Sequence, residues 1–445
     1  MTTLPVQLDR AAPVPLGVQL SGQIRELVLA GTLVRGARLP SSRALAADLG
    51  VSRSVPEQAY EQLLAEGWVE ARPGSGTFVA PTGEHPSPGV RRPRHPKPVT
   101  PDLLRLDAGT PWIDPRHAAG WRRAWREVST ARPPRGYDDP RGIPELRVAL
   151  ADRLGRTRGL ACDPDEIVVT NGATDGLRHV LAALPAGSVA VEDPGYRAAV
   201  ETILGSGRSV RDLPATTPVT DLAGLVAAYV TPAHQHPLGR VMPAVDRLTL
   251  LESARRAGAV VVEDDYDSEF RYDVAPVPAL ATLDRGRVAY LGTASKSVAP
   301  SLRLGWLVPP ADLLGAINAR RVVTHEGASW PTQRAFLALL RDGYVDKVVR
   351  SARRVYAERA PRVADALAPY AELAGPLAGM YSTWLLPQAD AERARASARQ
   401  AGFEVNLLAD YCRTASLTGL VVGFGGATDE QLDRALAALV NGLRG

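Results

Sequence analysis

Lysine is nearly absent from this chain of 445 residues: of its 52 Lys and Arg side chains, only Lys97, Lys296 and Lys347 are lysines. Arg supplies positive charge almost everywhere, and a guanidinium stays protonated at any working pH, so it cannot form an imine. Lys296 is retained between the apolar run 288–291 and a small polar turn. This placement indicates amine chemistry, with a Schiff base to an aldehyde cofactor as its leading form. An ordinary surface lysine is the alternative.

Cysteine is also scarce, and long apolar runs are missing. The two cysteines, Cys162 and Cys412, match no metal-ligand spacing and form no disulfide framework, which predicts no metal site and a reducing compartment. No stretch approaches about eighteen apolar residues, and residues 1–5 lack the basic and apolar regions of a signal peptide. We therefore expect a cytoplasmic protein with no membrane partner. The net charge of +4 does not by itself indicate nucleic-acid binding.

The length of the chain predicts a division into domains, because 445 residues are too many for one ordinary hydrophobic core. Across residues 81–101 prolines recur every few positions, and the single acid is Glu84. Such a segment favours extended polyproline conformations, and at about 3.1 Å per residue it reaches roughly 65 Å. It predicts a Pro/Arg-rich linker between domains at 1–80 and 102–445. A long surface loop inside one domain is the alternative.

The segment before the linker carries the pattern of three short helices and a hairpin. Apolar residues recur at helical spacing over 16–28, and Ser41 or Ser42 and then Ser52 stand where they can cap two further helices. Two short strands flank the glycine-rich turn 72–76. These are the parts of a winged helix-turn-helix, whose third helix enters the major groove of DNA. A small helical interaction module is the alternative.

The residues that we expect to contact double-stranded operator DNA stand at the starts of the second and third helices and at the wing tip. Helix starts attract phosphate through their free N–H groups, and glycines let two backbones approach closely. The set comprises Ser42, Arg43, Ser52, Arg53, Ser54, Gly74, Ser75 and Gly76.

After the linker, short strands alternate with helices. Helical stretches such as 177–184 and 248–257 separate several runs that are rich in β-branched or apolar residues. This pattern predicts an α/β domain with a mainly parallel sheet covered by helices on both faces. The predicted strands are 167–170, 189–192, 260–263, 288–291 and 306–308.

Polar groups near the ends of these strands match the groups that pyridoxal 5'-phosphate requires. The cofactor needs a lysine for the imine, a carboxylate for the pyridine nitrogen, a donor to the 3'-oxygen, a stacking ring and a phosphate cradle. Lys296 supplies the first, and Asp264 the second, since Asp264 follows a buried strand where open α/β sheets bind ligands. Arg303 can hold the phosphate as a bidentate donor. A solvated acidic loop is the alternative reading of the acids around Asp264.

Two further elements complete this predicted site. Tyr266 is close enough in sequence to Asp264 to reach the 3'-oxygen, and Tyr196 follows another strand end, where it can stack on the ring. The strand-to-helix turn 170–174 offers backbone N–H groups to phosphate. Each signal is weak alone, and simple packing is the alternative for Tyr196. Their order along the chain carries the prediction.

The sequence also resembles known families. Residues 39–46, 50–53 and 72–79 are similar to the winged-helix domain of GntR regulators, and 263–272 and 299–305 resemble the MocR group. MocR regulators join a GntR winged helix to a fold-type I aminotransferase-like domain. The resemblance implies a homodimer. It also implies Lys296 as the Schiff-base (internal aldimine) lysine, Asp264 as the pyridine partner, Tyr266 and His236 as 3'-oxygen contacts, Tyr196 as the stacking group, and Thr293, Arg303, Gly172, Ala173 and Thr174 as the phosphate site.

The expected function follows from this resemblance and from one departure. Transaminases carry an arginine for the substrate carboxylate near segment 419–424, where this chain has only Val; Arg413 is a nearby candidate. We therefore expect a transcription regulator that senses pyridoxal phosphate, an amine or an amino acid through Lys296 and controls vitamin B6 or amine metabolism genes. A catalytically active aminotransferase with an appended DNA-binding domain is the first alternative. A DNA-binding protein with an inert large domain is the second.

Overall fold

The computed structural model describes residues 4–72, 74–80, 103–273 and 277–444. The chain forms two units, one within residues 1–99 and one within residues 100–445. The predicted linker 81–101 lies outside the described residues, so the predicted domain boundaries on either side of it stay predictions. No helix in the described part of the chain is long and apolar enough to cross a membrane.

The smaller unit contains the predicted three helices and hairpin. An apolar core that includes Leu20, Ile24, Leu45 and Leu63 joins the helices to the hairpin. The strands pair antiparallel, with Val69 opposite Val79. The helices are α1 (Leu16–Leu29), α2 (Ser42–Leu49) and α3 (Ser54–Ala65), and the strands are β1 (Val69–Arg72) and β2 (Gly76–Val79).

One predicted helix cap is confirmed and one is wrong. Ser41 caps α2, because its side chain accepts a hydrogen bond from the Ala44 backbone N–H at 3.2 Å. Ser52 does not cap α3, which begins later, at Ser54, after an N-cap Arg53 that makes no side-chain cap bond. The Ser52 hydroxyl instead lies 2.8 Å from the Ser54 hydroxyl.

The larger unit contains two sheets. The central sheet has the strand order β4-β10-β9-β8-β7-β5-β6, in which only β10 runs antiparallel to its neighbours. The second sheet has the order β11-β12-β14-β13-β3, and there only β13 and β3 are parallel. The strands are β3 (Leu104–Leu106), β4 (Val168–Thr170), β5 (Ser188–Asp193), β6 (Val210–Pro214), β7 (Leu225–Val230), β8 (Val260–Asp265), β9 (Val288–Thr293), β10 (Gly305–Val308), β11 (Glu372–Leu373), β12 (Tyr381–Leu385), β13 (Phe403–Leu407) and β14 (Gly419–Gly423).

Helices cover both faces of the central sheet, which confirms the predicted architecture. Side chains of a strand alternate between faces, so Val260 and Val262 pack in one core and Val261 in the other. The helices are α4 (Ala118–Thr130), α5 (Pro144–Arg158), α6 (Ala173–Ala183), α7 (Arg197–Gly205), α8 (Ala244–Ala257), α9 (Ala311–Thr324), α10 (Trp330–Arg341), α11 (Tyr344–Leu367), α12 (Gln388–Gln400) and α13 (Asp429–Arg444).

Candidate cofactor site and DNA-contacting surface

One cavity of the larger unit collects the predicted cofactor residues. Its volume is about 180 Å³, large enough for a small organic molecule rather than a single water. The carboxyl end of the parallel strand β8 opens into it, as expected for open α/β sheets. Among its lining residues are Ala173, Thr174, Tyr196, His236, Asp264, Tyr266, Thr293, Lys296 and Arg303.

Lys296 follows β9 and points its amine into this cavity. The Nζ atom donates a hydrogen bond to the Gly109 carbonyl at 2.5 Å. Burial lowers the pKa of the amine, although nearby carboxylates including Asp107 oppose this shift. A lowered pKa increases the fraction of unprotonated amine, which is the form that attacks a carbonyl carbon.

Asp264 lines the cavity, and its two carboxylate oxygens have different surroundings. The Tyr229 hydroxyl donates a hydrogen bond to Oδ2, whereas Oδ1 is buried without a partner in the described structure. Burial raises the pKa of this carboxyl to about 7, and the Tyr229 hydrogen bond opposes the rise. A buried oxygen without a donor is costly, so Oδ1 is suited to accept a hydrogen bond from a protonated ring nitrogen.

The predicted phosphate cradle is the turn where β4 meets α6. Gly172 has φ of +93°, a conformation that favours glycine, and it precedes the first residue of α6. The guanidinium of Arg303 lies over this turn and donates to the Asn171 carbonyl at 3.3 Å. A Cβ atom at Gly172 would lie 3.2 Å from Nη2 of Arg303. Gly172 therefore keeps space beneath the guanidinium and beside the free N–H groups of the helix.

Arg303 itself has a left-handed backbone with φ of +50°. Such a conformation is uncommon for a residue with a side chain and is often maintained at functional sites. Across the cavity mouth, the Ser295 N–H donates to Thr293 Oγ1 at 3.1 Å, and the two hydroxyls lie 2.9 Å apart. Two hydroxyls and one guanidinium thus converge on the region where a phosphate would bind.

Aromatic rings form the opposite wall. The His236 ring meets Tyr196 and Tyr266 edge-on, with centroid distances of 5.7 Å in both cases. Burial, reinforced by the charge of Lys296, lowers the pKa of His236 to about 3, so its ring is neutral at pH 7. The Tyr266 hydroxyl donates to the His234 carbonyl at 2.9 Å and lies 2.8 Å from the Tyr381 hydroxyl.

No arginine other than Arg303 lines the cavity in the described part of the chain. The segment 419–424, where a transaminase would hold its carboxylate-binding arginine, forms the buried strand β14 and the residue after it. Arg413 does not substitute, because its Nε donates to Asp212 at 2.7 Å and it does not line the cavity. Among the described residues that line this cavity, Arg303 is therefore the one guanidinium that an anionic ligand meets.

Sequence reasoning missed several lining residues. Ala108 and Gly109 come from a segment far away in the chain, after β3, and no pattern connected them to Lys296. Thr231 follows β7, a strand that was not predicted, and Ser295 is adjacent to the predicted lysine. The hydrogen bond from Tyr229 to Asp264 depends on the pairing of β7 with β8, which the sequence did not reveal.

The predicted DNA-contacting residues lie on the surface of the smaller unit. Arg43 is exposed near the start of α2, and Arg53 is exposed at the start of α3, where its Nε lies 2.7 Å from the Glu57 carboxylate. The wing tip has glycines with φ of +72° at Gly74 and +113° at Gly76. Ser52, Ser54 and Ser75 are also exposed, whereas Ser42 is half-buried.

Comparison with known proteins identifies the two units. Residues 101–439 match the family described as aminotransferase class I and II, and residues 16–79 match the bacterial regulatory proteins of the gntR family. The larger unit also resembles the crystal structure of an archaeal alanine:glyoxylate aminotransferase, with a TM-score of 0.69 and 25% identity over 77% of this chain and 91% of that one. The chain thus combines a GntR-type DNA-binding head with a class I and II aminotransferase domain.

Two curated relatives share this combination over most of their length. The HTH-type pyridoxine biosynthesis transcriptional regulator PdxR of Corynebacterium glutamicum is 34% identical over 453 residues, covering 99% of this chain and 98% of the relative. The probable rhizopine catabolism regulatory protein MocR of Rhizobium meliloti is 37% identical over 382 residues, covering 79% of this chain and 77% of the relative. The chain belongs to the MocR-type family of transcription regulators.

Pyridoxal 5'-phosphate is the cofactor of this family's aminotransferase domain, and the residues of the cavity fit it. The fit is clearest at the unpartnered Oδ1 of Asp264, which suits a ring N–H, and at the Gly172 turn beneath Arg303, which suits a phosphate. Bound there, the cofactor supplies an aldehyde for amine chemistry. Lys296 would hold this aldehyde, and His236 and Tyr266 line the same cavity.

Proposed function

We propose that this chain regulates transcription in response to pyridoxal phosphate or to an amine that reacts with it. Lys296 binds the cofactor as a Schiff base, and occupancy of this site changes the affinity of the winged helix for its operator. The target genes belong to vitamin B6 or amine metabolism. The names of the two relatives, which concern pyridoxine biosynthesis and rhizopine catabolism, agree with both possibilities.

The observation that carries this proposal is the convergence of Lys296, Asp264 and Arg303 on one cavity. Asp264 lies at the end of β8, whereas Lys296 and Arg303 lie between β9 and β10. Each matches a different group of the same cofactor. Packing alone does not require a lysine, a carboxylate and a guanidinium to line one space, because a buried charge is costly unless it has a partner. A charged, ring-shaped ligand explains all three.

The composition of the cavity favours a particular effector class. Arg303 is positioned for the cofactor phosphate, and no other guanidinium is present for a substrate carboxylate among the described lining residues. A bidentate arginine is the strongest common anchor for a carboxylate. Pyridoxal phosphate itself or a simple amine therefore fits the site better than an α-amino acid does.

A spectroscopic experiment tests the proposed attachment. The protein titrated with pyridoxal phosphate should develop the visible absorbance of an imine, and Lys296→Ala should remove it. Lys347→Ala is the matched control, because Lys347 is exposed on α11 and lies outside the cavity. An unchanged visible band in Lys296→Ala would reject the assignment, whereas its loss in both variants would point to damage to the fold.

A working aminotransferase is the second candidate, favoured by the completeness of the cofactor site. It predicts steady turnover of an amino acid at about one per second or more, within the ordinary range of enzymes. The missing carboxylate arginine predicts turnover far below this rate. Assays with a panel of amino acids and 2-oxo acids decide between the two candidates, because only the enzyme consumes substrate in amounts that greatly exceed the protein.

The proposal also includes a homodimer of the large unit, which would carry two DNA-reading heads. Two heads on linkers within 81–101 could each bind a half-site. Sedimentation of the holoprotein, alone and with operator fragments that contain one or two half-sites, tests this part separately.

A further inference from the structure

Two consecutive aspartates at the end of β8 each have a buried tyrosine as hydrogen-bond partner. Tyr229, on β7, donates to Oδ2 of Asp264. Tyr290, on β9, donates to Oδ2 of Asp265 at 2.6 Å. The two strands flank β8 on opposite sides, and both tyrosines are about 2% exposed. The two hydrogen bonds are alike in chemistry and burial but serve different carboxylates.

The surroundings of the two aspartates differ. Asp264 lines the cofactor cavity, although the Oδ1 atoms of both aspartates have no hydrogen-bond partner among the described residues. Asp265 does not line that cavity, and its Oδ2 lies 2.5 Å from the Arg158 guanidinium. Asp265 thus has a cation to fix its carboxylate, whereas Tyr229 provides the side-chain hydrogen bond that fixes Asp264. Tyr229 does not itself line the cavity.

We infer that Tyr229 is a positioning residue for cofactor binding: by holding Oδ2, it keeps Oδ1 of Asp264 directed at the ring nitrogen. The inference rests on the proposed pairing of Asp264 with that nitrogen. A carboxylate can rotate about its Cβ–Cγ bond, and a fixed donor on one oxygen restricts the rotation before the ligand arrives. The hydroxyl also stabilises the anionic form of Asp264, which attracts a protonated ring more strongly than a neutral acid does.

Removing each hydroxyl in turn separates this role from general stabilisation. Tyr229→Phe and Tyr290→Phe both delete one buried oxygen that donates to an aspartate, and both leave the carbon framework of the ring unchanged. We expect Tyr229→Phe to weaken pyridoxal phosphate binding about tenfold or more, the range for a hydrogen bond to a charged group. Tyr290→Phe should change the dissociation constant less than about threefold. The apo melting temperatures show how much each variant is destabilised.

A double-mutant cycle identifies the path of the effect. In the Asp264→Asn background the carboxylate is gone, so Tyr229→Phe should cause almost no further loss of cofactor affinity. The ratio of the visible to the near-ultraviolet absorbance of the saturated holoprotein should change with Tyr229→Phe and remain as in the wild type with Tyr290→Phe. The Asn background also leaves no buried anion without its donor. If Tyr229→Phe alone is unstable, its effect can still be measured in that background, where a clear further loss of affinity would overturn the positioning role.

The outcomes separate this inference from the proposed function. Equal losses of affinity in Tyr229→Phe and Tyr290→Phe, or an equal effect of Tyr229→Phe with and without the Asp264 carboxylate, would overturn the positioning role. If Asp264→Asn itself leaves cofactor affinity and spectrum unchanged, the pairing of Asp264 with the ring nitrogen is wrong. If only the positioning role is overturned, loss of the imine band in Lys296→Ala would still support the proposed Schiff base at Lys296.

Discussion

Lys296, Asp264 and Arg303 are each proposed to bind a different group of the cofactor. The proposed role of Arg303, which is to bind the phosphate, is the simplest to test. Its left-handed backbone carries the guanidinium over the Gly172 turn. Because a lysine is a point charge and cannot bind a phosphate with two parallel bonds, we expect Arg303→Lys to weaken pyridoxal phosphate binding roughly tenfold and Arg303→Ala more strongly. Fluorescence titration measures the dissociation constant. Arg156→Lys, on the exposed face of α5, is the control.

Pyridoxal, which lacks the phosphate, provides the comparison ligand. The assignment would be contradicted if Arg303→Ala and the wild type had the same ratio of affinities for pyridoxal phosphate and pyridoxal. A phosphate-binding arginine must change that ratio. A variant that loses affinity for both ligands equally would place the guanidinium elsewhere on the cofactor.

A buried carboxyl beside the site gives a pH prediction. The Oε2 atom of Glu192 accepts hydrogen bonds from the Thr231 N–H at 3.0 Å and hydroxyl at 2.6 Å, and burial raises its pKa from 4.5 to about 7. The folded state therefore favours the protonated acid. Its contribution to stability is complete below pH 4.5 and is lost as the pH rises to 7.

Relative to Glu192→Gln, whose amide does not titrate, the wild-type protein should lose roughly 3 kcal/mol of unfolding free energy across this window. Urea unfolding of the apo proteins between pH 4.5 and 7.5 measures the difference. Glu201→Gln, at an exposed position on α7, should show no such trend. If the difference in unfolding free energy between the wild type and Glu192→Gln stayed constant with pH, Glu192 would be charged in the folded state.

At this scale the sequence predicted which residues share the cavity better than it predicted their supporting contacts. Lys296, Asp264 and Arg303 could be singled out because each residue type matches one group of the cofactor, and all three line the cavity. Tyr229 and Gly109 could not, since their roles depend on which strands pair and on a contact between segments that are distant in the chain. Such long-range pairing leaves no local pattern in one sequence.

Among the elements, the start of α3 is predicted to contact DNA. Arg53 is exposed at its start, and its ion pair with Glu57 must break or reorient when the guanidinium contacts a phosphate or base. Exposed pairs contribute little to stability, so this cost is small. We expect Arg43→Ala with Arg53→Ala to weaken operator binding and to lower the salt slope by about one unit per lost phosphate contact. Fluorescence anisotropy at several salt concentrations measures both quantities.

The matched control is Arg156→Ala, which removes one exposed arginine from the larger unit. If the double substitution leaves affinity and salt slope at their wild-type values, the recognition surface lies elsewhere on the head. A loss of affinity with an unchanged slope would indicate that these arginines read bases or support the fold rather than bind phosphates.

Elements with a strong local signal were predicted well, and others were missed. The strands β8 and β9 begin with the continuous apolar runs 260–262 and 288–291, which are typical of strands buried on both faces. The strand β6 contains Arg211 and Asp212 at a half-buried sheet edge, so its composition resembles a loop. The second sheet was not predicted, because β11 has only 2 residues and β3 pairs with a strand that is distant in the chain, β13. The start of α3 was placed too early because Ser52 has the composition of a cap but not its geometry.

For the whole molecule, the linker prediction remains to be tested directly. Deleting Pro86 to Pro98 would shorten the predicted tether by thirteen residues, or roughly 40 Å of polyproline length. We expect this variant to bind pyridoxal phosphate as the wild type does and to lose affinity for operators with widely spaced half-sites. Binding to a series of half-site spacings measures the effect. Equal affinity of both proteins for every spacing would contradict a tether.

The account depends on coupling between the cofactor site and the DNA-binding head, and one joint titration tests it most directly. Pyridoxal phosphate is added stepwise while the imine absorbance and the operator affinity are followed in the same samples, with wild type and Lys296→Ala. We predict that both signals change at the same cofactor concentration in the wild type. Lys296→Ala should show no imine band and only the operator affinity of the apo protein. An imine band that saturates while operator affinity stays constant would contradict the account.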